Sequence, residues 1–99
     1  MSNDVQYGAF VWDASKEKAN IRLHGLSFQE AAEAFADPRR IIARDETHSK
    51  DEERLFCIGS IDGRIVTVRF TFRGKVIRII GAGFWRKGRK AYEKTNIHR

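Results

Sequence analysis

The sequence predicts an α+β fold in which two N-terminal helices pack on an antiparallel sheet of about four to five strands, followed by a short C-terminal helix. Three observations carry this reading. Apolar residues recur at helical spacing between Phe28 and Phe35, a period of two takes over from Arg54 to Ala82, and two turn dipeptides, Asp62-Gly63 and Arg73-Gly74, divide that later stretch. Ninety-nine residues, 41% of them hydrophobic, are enough for one domain spanning residues 1–99. A chain of this size buries roughly 60 to 65% of its unfolded surface. Pro38 is the single proline, and no repeat or low-complexity segment suggests a linker.

Taken in order, Tyr7 to Trp12 alternates and carries aromatics, as a first strand does. Asp13 is placed to N-cap a helix that Gly25 closes as the residue after the C-cap. Along this helix Ala19 and Leu23 continue from Trp12 on one stripe, with Asp13, Glu17, Asn20 and His24 on the other, so it reads as amphipathic. Ser27-Phe28-Gln29-Glu30 fits a capping box at the start of a second helix. Phe28, Ala31, Ala32 and Phe35 form its core stripe, and Asp37-Pro38 ends it. Ile41 to Ala43 reads as a short strand and Arg44 to Glu53 as a charged, exposed loop.

Two-residue turns at Asp62-Gly63 and Arg73-Gly74 join three antiparallel strands and fix a register. It pairs Leu55 with Phe70 in the first hairpin and Arg69 with Arg78 in the second, with Arg54 diagonal to Arg69. One face then holds Leu55, Cys57, Val66, Val68, Phe70, Ile77 and Ile79, the core. The other holds Arg54, Arg69 and Arg78, and like charges so placed repel unless an anion lies between them. Gly83 to Lys94 reads as a glycine-hinged loop entering a short helix, and Asn96 to Arg99 as a frayed tail.

Charge is divided along the chain. Residues 1–63 carry 8 Lys and Arg against 12 Asp and Glu, whereas residues 64–99 carry 11 against the single Glu93, and the total is +6. So concentrated a basic segment, with Phe84, Trp85 and Tyr92 within it, favours phosphate binding over mere solvation. The lone Cys57 forms no internal disulfide, the N-terminus lacks the pattern of a secretory signal, and no apolar run is long enough for a membrane span. A soluble cytoplasmic protein is expected. No His and Cys spacing resembles a zinc site, so neither metal nor cofactor is expected.

Phe10-Val11-Trp12-Asp13, Lys16, Asn20 and His24-Gly25 form an ordered series. It continues through Ser27-Phe28, Glu30-Ala31, Phe35-Ala36-Asp37-Pro38, His48, Glu53-Arg54, Ile58-Gly59 and Ile77-Arg78-Ile79-Ile80. Over residues 10 to 93 this series resembles the BrnT ribonuclease toxins. The resemblance implies a RelE-like fold, metal-independent RNA cleavage that can be ribosome-associated, and a cognate antitoxin through which alone operator DNA is contacted. The chain departs from the pattern at Gly81-Ala82-Gly83, where the resemblance leads one to expect Ser-Ala-Arg, and Leu23 replaces a basic residue. Arg86, Lys87 and Arg89 can supply the missing charge from the following segment.

Metal-free RNA cleavage needs removal of the 2′-hydroxyl proton, charge stabilisation at phosphorus and protonation of the departing oxygen. The forks of Arg54, Arg69 and Arg78 suit the second task, and their alternative is pairing with the acidic loop. His24 either transfers a proton or caps helix carbonyls. Glu53 is a candidate base or a structural partner of its neighbour, and Tyr92 a proton donor or a packing residue. Trp85, read as exposed, suits nucleobase stacking, with Arg86, Lys87, Arg89 and Lys90 beside it for RNA binding. His48 in the loop and His98 in the tail read as solvated. An endoribonuclease toxin leads; the alternative is a catalytically silent RNA- or antitoxin-binding module of the same fold.

Overall fold

The computed structural model describes residues 3–97. Its elements are strands β1 (Asp4–Tyr7) and β2 (Phe10–Asp13), helix α1 (Ala14–His24), and a short helix α2 (Phe28–Ala31) that tightens into a 3₁₀ segment (Ala32–Ala36). Strands β3 (Ile41–Arg44), β4 (Leu55–Ile61), β5 (Arg64–Arg73) and β6 (Val76–Gly83) follow, then helix α3 (Arg86–Asn96). Among the described residues six strands, not four or five, form one sheet in the order β1-β2-β6-β5-β4-β3. The tail residue His98 lies outside the described residues.

The extra strand arises at the N-terminus. Gly8, at φ 60°, turns the stretch expected as one strand into a hairpin that pairs Tyr7 with Phe10. β2 then runs parallel to β6, with Phe10 beside Ile77 and Val11 beside Arg78, so the sheet is not wholly antiparallel.

In the β4–β5 hairpin Leu55 pairs with Phe70 as expected, around a turn in which Asp62 and Gly63 both take positive φ. The β5–β6 hairpin differs. Its loop is Gly74-Lys75, with Gly74 at φ 62° in the first loop position, where a primed turn needs left-handed backbone. Arg78 therefore faces Thr71, and a register shift between Arg69 and Phe70 sets Arg69 opposite Gly81. Arg69 and Arg78 are not opposed.

The expected core face survives, because from the turn to Phe70 the slip is of two residues, which keeps the side chains of Ile77 and Ile79 on their side. Cys57, Val66, Val68, Phe70 and Ile79 are buried beneath Phe28, Ala31 and Ala34, with Leu55 and Ile77 packed at the margin. Both bonds of the Ser27–Glu30 capping box form. Ala34 lies so close to Gly59 that a Cβ on the glycine would collide with its carbonyl, which accounts for Gly59 in β4.

Helix α1 is turned opposite to its apolar stripe. Leu23 is 73% exposed, while Asn20 is buried: Asn20 Nδ2 donates to the Leu26 carbonyl at 2.9 Å and Oδ1 accepts from the Ala82 amide at 3.1 Å. Glu17 accepts from Trp12 Nε1 and from the Phe28 amide. These bonds satisfy polar groups that the bends between β2, α1 and α2 would otherwise bury unpaired, so the inner stripe of this helix is polar. Asp13 caps the helix, and hydrogen bonds from the Ser15 hydroxyl and then the Lys16 and Ser15 amides hold its carboxyl below the usual range.

Helix α3 lies on the sheet face away from α1 and α2. Gly88 presses against Thr67 and Ile58, where a Cβ would overlap Thr67 Oγ1. The segment expected as a glycine-hinged loop is thus the end of β6 and the first turns of a helix. No helix among the described residues is long and apolar enough to cross a membrane.

A candidate anion site on the second sheet face

One row of side chains crosses the second face. β5 and β6 pair Thr71 with Arg78, and continuing the β4–β5 register by one residue sets Arg54 on the other side of Thr71. The Asp45 amide donates to the Arg54 carbonyl at 2.8 Å, which extends the β3–β4 ladder and completes the row. With strands about 4.8 Å apart, the Cα atoms of Arg54 and Arg78 are separated by roughly 10 Å. That separation is within the combined reach of two arginine side chains.

Each arginine is held by a carboxylate. Arg78 makes two 3.0 Å bonds to Asp4, a bidentate pair that raises the guanidinium pKa. Arg54 lies 3.5 Å from Glu52, which also approaches Arg73 at 3.4 Å. Arg69 Nε, buried and without a hydrogen bond, is 3.8 Å from Asp45. Glu53 turns its side chain to Arg44, 3.8 Å away, and its carbonyl accepts from Thr71 Oγ1 at 2.7 Å.

The segment from Asp45 to Glu53 is more ordered than a charged, exposed loop. Ser49 Oγ donates to the Asp45 carbonyl and accepts from the Arg54 amide, closing the loop on itself. Asp45 is only 3% exposed; one carboxylate oxygen accepts from the Thr47 and His48 amides, and the other lies 2.9 Å from His48 Nδ1. His48, Thr47, Lys50, Asp51, Glu52 and Arg54 line a cavity of about 300 Å³. Sequence reading passed over this pair because an Asp-x-x-His step in a polar loop carries no periodicity; its signal was the turn geometry that Asp favours.

The remaining candidates are not in this row. His24, on α1, meets Trp85 in a T-shaped ring contact, 5.5 Å between centroids, and Trp85 is half-buried rather than exposed. Arg64 stacks 4.6 Å above the Phe84 ring. Arg86, Lys87, Arg89 and Lys90 project from α3 into solvent, with Arg89 3.5 Å from Glu93. Tyr92 donates to Asp37 Oδ2 at 2.6 Å. Burial pushes the Cys57 thiol up to about 12, so it stays protonated in the core.

The family described as ribonuclease toxin, BrnT, of type II toxin-antitoxin system matches residues 12–88 of the chain. No match was found among the curated proteins.

Proposed function

Because the chain belongs to the BrnT family of ribonuclease toxins of type II toxin-antitoxin systems, we propose that it is a metal-independent endoribonuclease. In this reading it acts in the cytoplasm, can cut RNA on the ribosome, keeps a RelE-like arrangement, and is one domain. A cognate antitoxin silences it by covering the basic face and alone contacts operator DNA.

The row of Arg54 and Arg78 about Thr71 carries this reading. Their guanidinium forks bind the phosphate oxygens of the scissile linkage and stabilise the charge that grows there during attack by the 2′-oxygen. Both arginines already hold carboxylates, Asp4 and Glu52, so the row selects anions, and a phosphate displaces those partners on binding. Arg69 backs the row. Trp85, Arg86, Lys87, Arg89 and Lys90 guide the flanking RNA by stacking and charge. Of the proton-transfer candidates, Glu53 lies nearest in sequence to the row, whereas His24 and Tyr92 contact Trp85 and Asp37.

A catalytically silent RNA- or antitoxin-binding module is the second reading, favoured by Gly81 and Gly83 where the resemblance leads one to expect serine and arginine. Purified protein incubated with mRNA separates the two. Cleavage lost in Arg54→Ala and in Arg78→Ala supports the nuclease; salt-dependent binding without cleavage products supports the module, and cleavage indifferent to both substitutions removes the arginine row from the site.

A further inference from the structure

We propose that His48 is the proton-transfer group of the arginine site and that Asp45 and Arg69 position it; this rests on the nuclease reading above. The geometry is that of a held imidazole. His48 Nδ1 meets Asp45 Oδ2 at 2.9 Å, and the second oxygen of the same carboxylate is fixed by the Thr47 and His48 amides. A carboxylate acceptor keeps the proton on Nδ1, which leaves Nε2 as the basic nitrogen. Among the described residues Nε2 makes no hydrogen bond, and His48 keeps 48% of its side chain exposed while lining the cavity that Arg54 also lines. Imidazole is the side chain that most often serves in general acid–base catalysis.

The surroundings fix the roles of the neighbours. Arg69 stands beside Asp45 with its Nε buried, unbonded and 3.8 Å from the carboxylate, while the rest of its side chain, 32% exposed overall, reaches the surface. Arg54 and Lys50 face the cavity as cations, and Asp51 and Glu52 as anions. Arg54 is therefore the fork that shares the cavity with His48.

His48 Nε2 takes the proton of the 2′-hydroxyl, the 2′-oxygen–phosphorus bond forms, and the bond from phosphorus to the 5′-oxygen breaks. Water protonates the departing 5′-oxygen, and the proton held by His48 returns to the hydroxide so formed. The products are a 2′,3′-cyclic phosphate and a free 5′-hydroxyl.

The test measures cleavage of an RNA oligonucleotide by the full chain from pH 5 to 9, beside binding of a 2′-O-methyl oligonucleotide that cannot be cut. His48→Ala should lower kcat/KM by about 10²- to 10⁴-fold and remove the acidic limb of the profile. Its binding constant should change less than about threefold, and added imidazole should restore part of the rate. Asp45→Asn should retain cleavage with a displaced limb, a shift that loop packing alone would not produce. Circular dichroism confirms the fold of each variant. Wild-type cleavage that survives His48→Ala, or an unmoved pH limb, overturns this assignment alone; wild-type protein that binds RNA and never cuts it overturns the nuclease reading together with it.

Discussion

The phenol of Tyr92 on α3 donates a 2.6 Å hydrogen bond to Asp37 Oδ2, and the same carboxylate oxygen accepts from the Ser60 amide at 2.7 Å. Asp37 thus ties the C-terminal helix to β4 and to the end of the 3₁₀ segment. Burial pulls the carboxyl upward, yet the bonds from Tyr92, Ser60 and Arg39 outweigh it and hold Asp37 below its ordinary value. Burial, then the bond to Asp37, raises the phenol.

Tyr92→Phe should therefore cost about 1 kcal/mol and speed hydrogen exchange in α3, with RNA cleavage changed little. The pH sign follows from both shifts. A lowered carboxyl stabilises above its unfolded value near 4 and loses that contribution as pH falls through the folded value; a raised phenol stabilises below about 10 and loses it as pH rises. The stability gap between wild type and Tyr92→Phe, measured by urea unfolding, should be a plateau between about pH 4 and 10 that narrows at both ends.

Much of this architecture was legible in residue order. The core face of β4 and β5 followed from alternation and from Asp62-Gly63, because a two-residue turn leaves one register. What was lost depended on single backbone choices. Gly8 takes positive φ inside a stretch that reads as one strand, Gly74 takes it at the first rather than the second position of its turn, and a bulge at Arg69 carries no compositional mark. Helix α1 misled because hydrophobicity assigns Leu23 inward, whereas the Leu26 carbonyl and the Ala82 amide take Asn20 as their partner there. The arginines were visible singly, and the acidic loop that supplies Glu52 to Arg54 and Asp45 to Arg69 was legible as their alternative partner; Asp4, which holds Arg78 across the sheet, lies too far away in sequence for pattern to join.

Gly88 tests how α3 is seated. In a free helix alanine is better than glycine by about 1 kcal/mol. Here its Cβ would overlap Thr67 Oγ1, a buried hydroxyl with no hydrogen-bond partner among the described residues. Gly88→Ala should destabilise by about 1 to 3 kcal/mol through overpacking. Combined with Thr67→Ala, which removes the obstructing oxygen, it should cost clearly less than the two single changes added together; strict additivity in a double-mutant cycle would refute the contact.

Asp4 occupies the Arg78 fork that RNA needs. The pair is bidentate, with 19% of the Arg78 side chain and 39% of the Asp4 side chain exposed, and ion pairs that reach solvent contribute about 1 kcal/mol or less. Asp4→Asn should accordingly leave the melting temperature within a few degrees and tighten RNA binding up to about fivefold at low salt. Arg78→Ala should weaken binding and reduce the slope of log affinity against log salt by about one unit. Fluorescence anisotropy over a salt series reads both, and a weaker Asp4→Asn complex would mean that the carboxylate does not compete with phosphate.

The two glycines where the chain departs from its family pattern are not equivalent. A Cβ on Gly81 meets nothing within 4 Å, while one on Gly83 would lie 2.7 Å from the Trp85 ring. The indole occupies the space that a side chain at 83 would enter, and it makes a T-shaped contact with the His24 ring. Gly81→Ser should thus fold with stability near wild type. Gly83→Ala must displace the ring, breaking the contact with His24 and raising acrylamide quenching of tryptophan fluorescence; since Trp12 is buried in the core, the added quenching reports Trp85. Gly83→Ala combined with Trp85→Ala should recover part of the lost stability, because the ring that a Cβ meets is then gone. Equal tolerance at 81 and 83 would show that Trp85 does not depend on the glycine beneath it.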